Sequence, residues 1–200
     1  MRILVISDKE DKSLLGKAIK EGMRALPEKA GDAYSFYELG DEDLRFCIGC
    51  FTCWVKTPGL CVFKDLGREL NREFMDSDVA VILSPVKYGC YSRTIKRVWD
   101  RTIPVVLPFF VKIDGEMHHA PRYSRYPRLV IVGYGENISD FEAETFKSLN
   151  DANAVNFQTE EARTYICRRE ADIPGVLEAV NSYLKEKGGE MNEKSILRQR

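Results

Sequence analysis

The stretch Val79-Ala80-Val81-Ile82-Leu83-Ser84-Pro85 decides the fold. It is apolar without alternation, which marks a strand covered on both faces, as in a parallel sheet, and Pro85 closes it. The same signature stands at Ile3-Leu4-Val5-Ile6-Ser7 and again at Leu129-Val130-Ile131-Val132. Ala33–Leu39 alternates less cleanly and suits an outer strand, and residues 163–167 make a short fifth one. Helical patterns fall between them. Ser13 is placed to cap a helix whose face carries Leu14, Leu15, Ala18, Ile19, Met23 and Leu26, and Pro27 stops it. Leu66, Leu70, Phe74 and Met75 mark a second helix, and Ile95, Val98 and Trp99 a third. Ser139 with Glu142 is a capping-box pair opening a helix with Phe141 and Leu149. Asp172 and Pro174 open a last helix with Val176, Leu177, Val180 and Leu184 inside, and Gly188-Gly189 is expected to end it. Strands each followed by a helix predict an α/β protein: an open parallel sheet with helices on both faces. Ligands of such sheets sit at the carboxyl ends of the strands, near the point where strand order reverses.

Composition narrows the function. The 200 residues carry 30 basic and 31 acidic side chains, a net charge of -1, so no field of one sign favours nucleic acid or an anionic membrane. No apolar run approaches the length that spans a bilayer. The chain opens directly into its first strand without a signal-peptide pattern, and the expectation is a cytoplasmic protein. One domain is expected over residues 1–187, with a flexible polar tail over 188–200. Two segments break the alternation: residues 40–64, and residues 102–128, rich in proline and aromatics. Long loops of this kind are usually functional or pack on a partner.

Residues 40–64 hold four of the six cysteines, Cys47, Cys50, Cys53 and Cys61, spaced C-x2-C-x2-C-x7-C. In a reducing compartment such a cluster reads as thiols, metal ligands or redox groups. Zinc sites usually pair two C-x2-C knuckles across a longer spacer, whereas successive x2 steps sit closer to an iron–sulfur pattern. The spacing leaves three readings open: a [4Fe-4S] cluster, zinc, or thiols that bind nothing. Phe46, Phe51, Trp54 and Phe63 would shield a cluster.

The run from Cys47 to Cys61, followed by Lys64-Asp65, resembles the segment of iron–sulfur flavoproteins and their relatives in the NADPH-dependent FMN reductase family. A second match follows the third strand: Ser84-Pro85-Val86-Lys87-Tyr88-Gly89-Cys90-Tyr91-Ser92, then Arg97-Val98-Trp99-Asp100-Arg101. The resemblance implies a flavodoxin-like three-layer sandwich with a five-stranded parallel sheet in the order 2-1-3-4-5. It also implies an FMN-dependent oxidoreductase taking electrons from NADH or NADPH. No side chain is then an obligatory acid or base, because the cofactor carries the chemistry. Ser84, Pro85, Val86, Lys87, Tyr88 and Gly89 would lie along the flavin, with Gly133 and Gly135 at its opposite edge. The four cysteines would hold the cluster where one is present.

The flavin phosphate calls for backbone N–H groups and hydroxyls at the first strand-to-helix loop. This chain offers Ser7, Lys9, Lys12 and Ser13 there, but no glycine, and Asp8, Glu10 and Asp11 oppose a phosphate. A second reading follows: a flavodoxin-like metal-binding or interaction module without tight FMN binding. His118-His119 has no third partner for a metal and reads as a surface or interface pair. The basic residues Arg93, Lys96, Arg97 and Arg101 read as a solvated helix face. The apolar segment 103–111 is expected to be buried, within the domain or across a homodimer or homotetramer contact. The expected partners are reduced nicotinamide, an unnamed electron acceptor, and further copies of the chain.

Overall fold

The computed structural model describes residues 1–26 and 33–198, with residues 190–198 as backbone only. Five parallel strands form the central sheet: β1 (Arg2–Asp8), β2 (Ala33–Leu39), β3 (Val79–Pro85), β6 (Arg128–Tyr134) and β7 (Ala162–Cys167). Their order is β2-β1-β3-β6-β7. Counting only these strands, that is 2-1-3-4-5, the flavodoxin-like order. The reversal falls between β1 and β3, so the loops after these strands meet at one edge.

Period-two geometry sends alternate residues of the inner strands into two cores. Leu4, Ile6, Ala80, Ile82, Leu129 and Ile131 face one way, onto α3 (Gly67–Asp76), α4 (Arg93–Asp100) and α5 (Asp140–Phe157). Val5, Val79, Val81, Leu83, Val130 and Val132 face the other way, onto α1 (Leu14–Arg24) and α6 (Ile173–Arg198). These inner strands are almost wholly buried, which is why their sequences are apolar without a break. Helix ends follow their caps. The Ser13 side chain accepts the Gly16 N–H, and Ser139 and Glu142 form the full capping box of α5.

Three expectations change. Residues 102–128 are not an irregular loop: β4 (Val106–Ile113) and β5 (Glu116–Pro121) form an antiparallel hairpin. Within segment 103–111, Val105 and Val106 are buried, but Phe109 and Phe110 stand 68% and 63% exposed, so the chain's own core does not cover them. Helix α6 runs through Gly188-Gly189 to Arg198 instead of ending there in a loose tail. The expected stop at Pro27 lies outside the described residues.

Candidate functional site

The loop after β3 is built as a ledge. Lys87 and Cys90 exchange backbone hydrogen bonds at 2.8 and 2.9 Å around Tyr88-Gly89. Both central residues have positive φ, 53° and 72°, a conformation that favours glycine at the second position. A Cβ on Gly89 would stand 2.8 Å from Thr145 Cβ, so the turn rests directly on α5. Ser84 ties the ends of the loop: its buried hydroxyl donates to Pro85 O and accepts from the Ser92 N–H. Ser92 in turn caps α4. The Val86 N–H donates to Tyr134 O at 2.9 Å and locks the ledge to the end of β6. Tyr88, 94% exposed, is the free ring of the ledge, beside the exposed Lys87.

The structure distributes the other expected flavin contacts unevenly. Gly133 lies inside the packing between β6 and α5, where an added Cβ would stand 2.6 Å from Phe146 and 2.8 Å from Val86. It supports the ledge from below. Gly135 follows β6, half-buried, its N–H given to Cys167 O. Pro85 and Val86 are buried at the root of the ledge. Ser7 is buried, with its hydroxyl 3.3 Å from Tyr37 O.

The first loop departs furthest from a phosphate cradle. The Asp11 carboxylate sits at the N-terminus of α1, taking the Ser13 hydroxyl at 2.8 Å and the Ser13 N–H at 3.3 Å. A Cβ at Gly16 would stand 1.9 Å from Asp11 Oδ2, so this carboxylate fills the notch that glycine leaves. The lysines are engaged elsewhere. Lys9 pairs with Glu42 at 2.5 Å, Lys12 gives its ammonium to Lys9 O, and the buried Lys20 pairs with Glu38 at 3.1 Å. The first loop as folded, with Asp11 at the N-terminus of α1, does not fit a phosphate.

The cysteine segment packs beside α4 and the hairpin. Phe51 at φ 53° opens the short α2 (Thr52–Val55), and the Gly59 N–H returns to Cys53 O at 2.9 Å. Trp54 donates to Ile103 O and Val106 O, stacks on Phe51, and meets His119, which stacks on Phe110. His119 is thereby a packing residue, and His118 pairs with Glu116. Of the four cysteines, Cys53 is buried, Cys61 half-buried, and Cys47 and Cys50 exposed. Burial pushes the Cys53 thiol up, and the charges of Cys61, Cys47 and Cys50 add to that. Hydrogen bonds from the Thr52 side chain and backbone pull Cys50 down. Among the described residues, no three His, Cys, Asp or Glu side chains close around a point where one metal ion would sit. The donor set, four soft thiols, remains suited to an iron–sulfur cluster.

Arg97 and Arg101 do not belong to a solvated helix face. Both are buried, at 4% and 3% exposure, and they hold the cysteine segment in place. Arg97 donates to Asp41 O and Leu44 O, pairs with the Asp41 carboxylate at 3.0 Å, and lies 4.0 Å over the Phe46 ring. Arg101 donates to Arg45 O, to both Asp65 oxygens (2.8 and 2.7 Å) and to Cys61 Sγ at 3.3 Å. Arg97 lies in the last turn of α4 and Arg101 is its C-cap residue.

No protein-family model matches the chain. Over 91 residues it is 32% identical to an iron-sulfur flavoprotein of Methanocaldococcus jannaschii, a match covering 46% of either chain. The chain thus spans about half the length of that curated relative. Among solved structures it resembles an FMN-dependent NADH-azoreductase of Bacillus anthracis in complex with FMN, at TM-score 0.59 and 13% identity, over 92% of this chain and 98% of that one. It also resembles an NAD(P)H:quinone oxidoreductase of Methanothermobacter marburgensis, at TM-score 0.63 and 11% identity, over 91% and 94%. At these identities the structural likeness establishes the flavodoxin-like fold.

Proposed function

We propose that the chain is a flavin-dependent oxidoreductase that accepts electrons from NADH or NADPH and passes them to an acceptor, with FMN as the flavin named for its structural relatives. One observation carries the reading. At the switch point of a sheet shared with an FMN-containing azoreductase structure, the Tyr88-Gly89 turn offers an exposed ledge locked to β3, β6 and α5. A flavin supplies hydride acceptance and one- or two-electron transfer when bound. The chain's own part is placement. Ser84 and Ser92 fix the loop ends, Val86 joins the loop to β6, and Tyr88 offers a ring at the open side.

In the same reading Cys47, Cys50, Cys53 and Cys61 are the candidate ligands of a [4Fe-4S] cluster. The iron–sulfur name of the curated relative and the placement of the four thiols on one segment support this. Six free cysteines suit a reducing, cytoplasmic setting. A homodimer or homotetramer would cover Phe109 and Phe110. An anaerobic absorption spectrum of purified protein, before and after addition of FMN, tests flavin and cluster together. We expect a flavin band, together with iron and acid-labile sulfide in cluster stoichiometry. Absence of flavin uptake defeats the oxidoreductase reading, and stoichiometric zinc defeats the cluster.

A further inference from the structure

The first loop and the ledge make different demands on a flavin. In open α/β sheets an anionic group seats where backbone N–H groups converge at the first helix N-terminus. Here that place already holds an anion of the chain's own. Asp11 accepts from the Ser13 N–H and hydroxyl, and the Ser13 hydroxyl accepts the Gly16 N–H in turn. The space over Gly16, which an incoming oxygen would use, is taken by Asp11 Oδ2 and the Tyr134 ring, 1.9 and 2.7 Å from the position of an added Cβ.

A second, independent feature points into the same place. Tyr134, only 1% exposed, ends β6 with a buried hydroxyl that has no hydrogen-bond partner. Beyond its burial, Asp11 acts on that hydroxyl by its charge and as its nearest, poorly aligned acceptor, and Asp8 and Glu38 act by charge, so the hydroxyl faces the acidic loop. Three nearby lysines are engaged within the chain: Lys9 pairs with Glu42, Lys12 donates to Lys9 O, and Lys20 pairs with Glu38.

We propose that Asp11 occupies the phosphate position, so that this chain takes a flavin by its ring alone and gains no affinity from a terminal phosphate. Riboflavin-type ligands are then the preferred class, and FMN is held as an exchangeable species. The inference rests on the flavin reading above and refines it.

Flavin fluorescence quenching tests it without any activity assay. Riboflavin and FMN are titrated into the wild-type chain, Asp11→Asn, Asp11→Ser, and Glu21→Gln as the same charge change at the far end of α1. We expect wild type and Glu21→Gln to bind FMN no more tightly than riboflavin. In Asp11→Asn and Asp11→Ser, FMN affinity should rise about tenfold while riboflavin stays within about threefold. A wild-type chain that already prefers FMN by about tenfold overturns the proposal and leaves the flavin reading standing. So does an FMN-to-riboflavin ratio unchanged in folded Asp11 variants. Binding of neither flavin by any of the proteins rejects the flavin reading itself, and the proposal with it.

Discussion

Asp65 shows how one side chain can organise the whole cysteine segment. Its carboxylate takes two bonds from Arg101 and one each from the backbone of Arg45 and Gly67. Burial alone would raise this carboxyl, but the Arg101 guanidinium and the N–H donors outweigh it and hold Asp65 below the usual carboxylate range. The arginine and aspartate side chains are 2% and 15% exposed, so removing either partner strands the other. We expect Asp65→Asn to cost about 3–5 kcal/mol in urea unfolding, as for other broken buried pairs. The sign of the pH effect follows from the lowered group. Its contribution is fully present above about pH 4, the unfolded carboxyl value, and is lost as pH falls through the folded value. The acid limb of the wild-type stability curve should be steeper than that of Asp65→Asn. Arg101 was legible in the sequence only as a basic residue. Its burial depends on acceptors 36 and 56 positions away, which no local pattern reveals.

At the scale of elements, the inner strands β1, β3 and β6 were readable because burial on both faces keeps their middles apolar. The hairpin was not, although Asp114-Gly115, both at positive φ, is the two-residue turn signal expected between paired strands. Pro108 and Pro121 are residues that strands tolerate only at edges and irregularities. The structure accommodates Pro108 in the irregular register between Val106 and Phe110, where a missing N–H costs little, and Pro121 at the end of β5. The end of α6 was misplaced for a related reason: glycine lowers helix propensity but does not forbid helix. Gly133 illustrates an element contact that sequence reading assigned to a ligand. It permits β6 and α5 to approach, and Gly133→Ala would drive a methyl into Phe146 and Val86. We expect a loss of about 1–3 kcal/mol by chemical denaturation, as for other overpacked sites. Loosening of the ledge should accompany it, seen as faster amide exchange at Val86.

For the whole molecule, the fold class and strand order were legible, whereas the first loop's poor fit to a phosphate was visible only as excess acidity and a missing glycine. Which carboxylate lies at the helix end is a matter of three-dimensional placement. The exposed rings of Phe51 and Phe110 stack on Trp54 and His119, which meet each other, and the neighbouring residues Val55 and Phe109 are exposed as well. Contiguous apolar surface of this kind marks association. We expect light scattering at micromolar concentration to give a multiple of the chain mass, and Phe110→Glu to return it to the monomer. A strict wild-type monomer would remove the dimer and tetramer readings together.

The two buried guanidinium groups of α4 carry a last consequence. They are the tether between a helix and a segment with little regular structure of its own, gripping residues 41–45 at one end and Cys61 with Asp65 at the other. Helix and segment therefore open as one cooperative unit, separate from the strands behind them. Cys47 and Cys50 are open to alkylating reagents in the folded chain, whereas the buried Cys53 and half-buried Cys61 become accessible when this unit opens, before the sheet itself gives way.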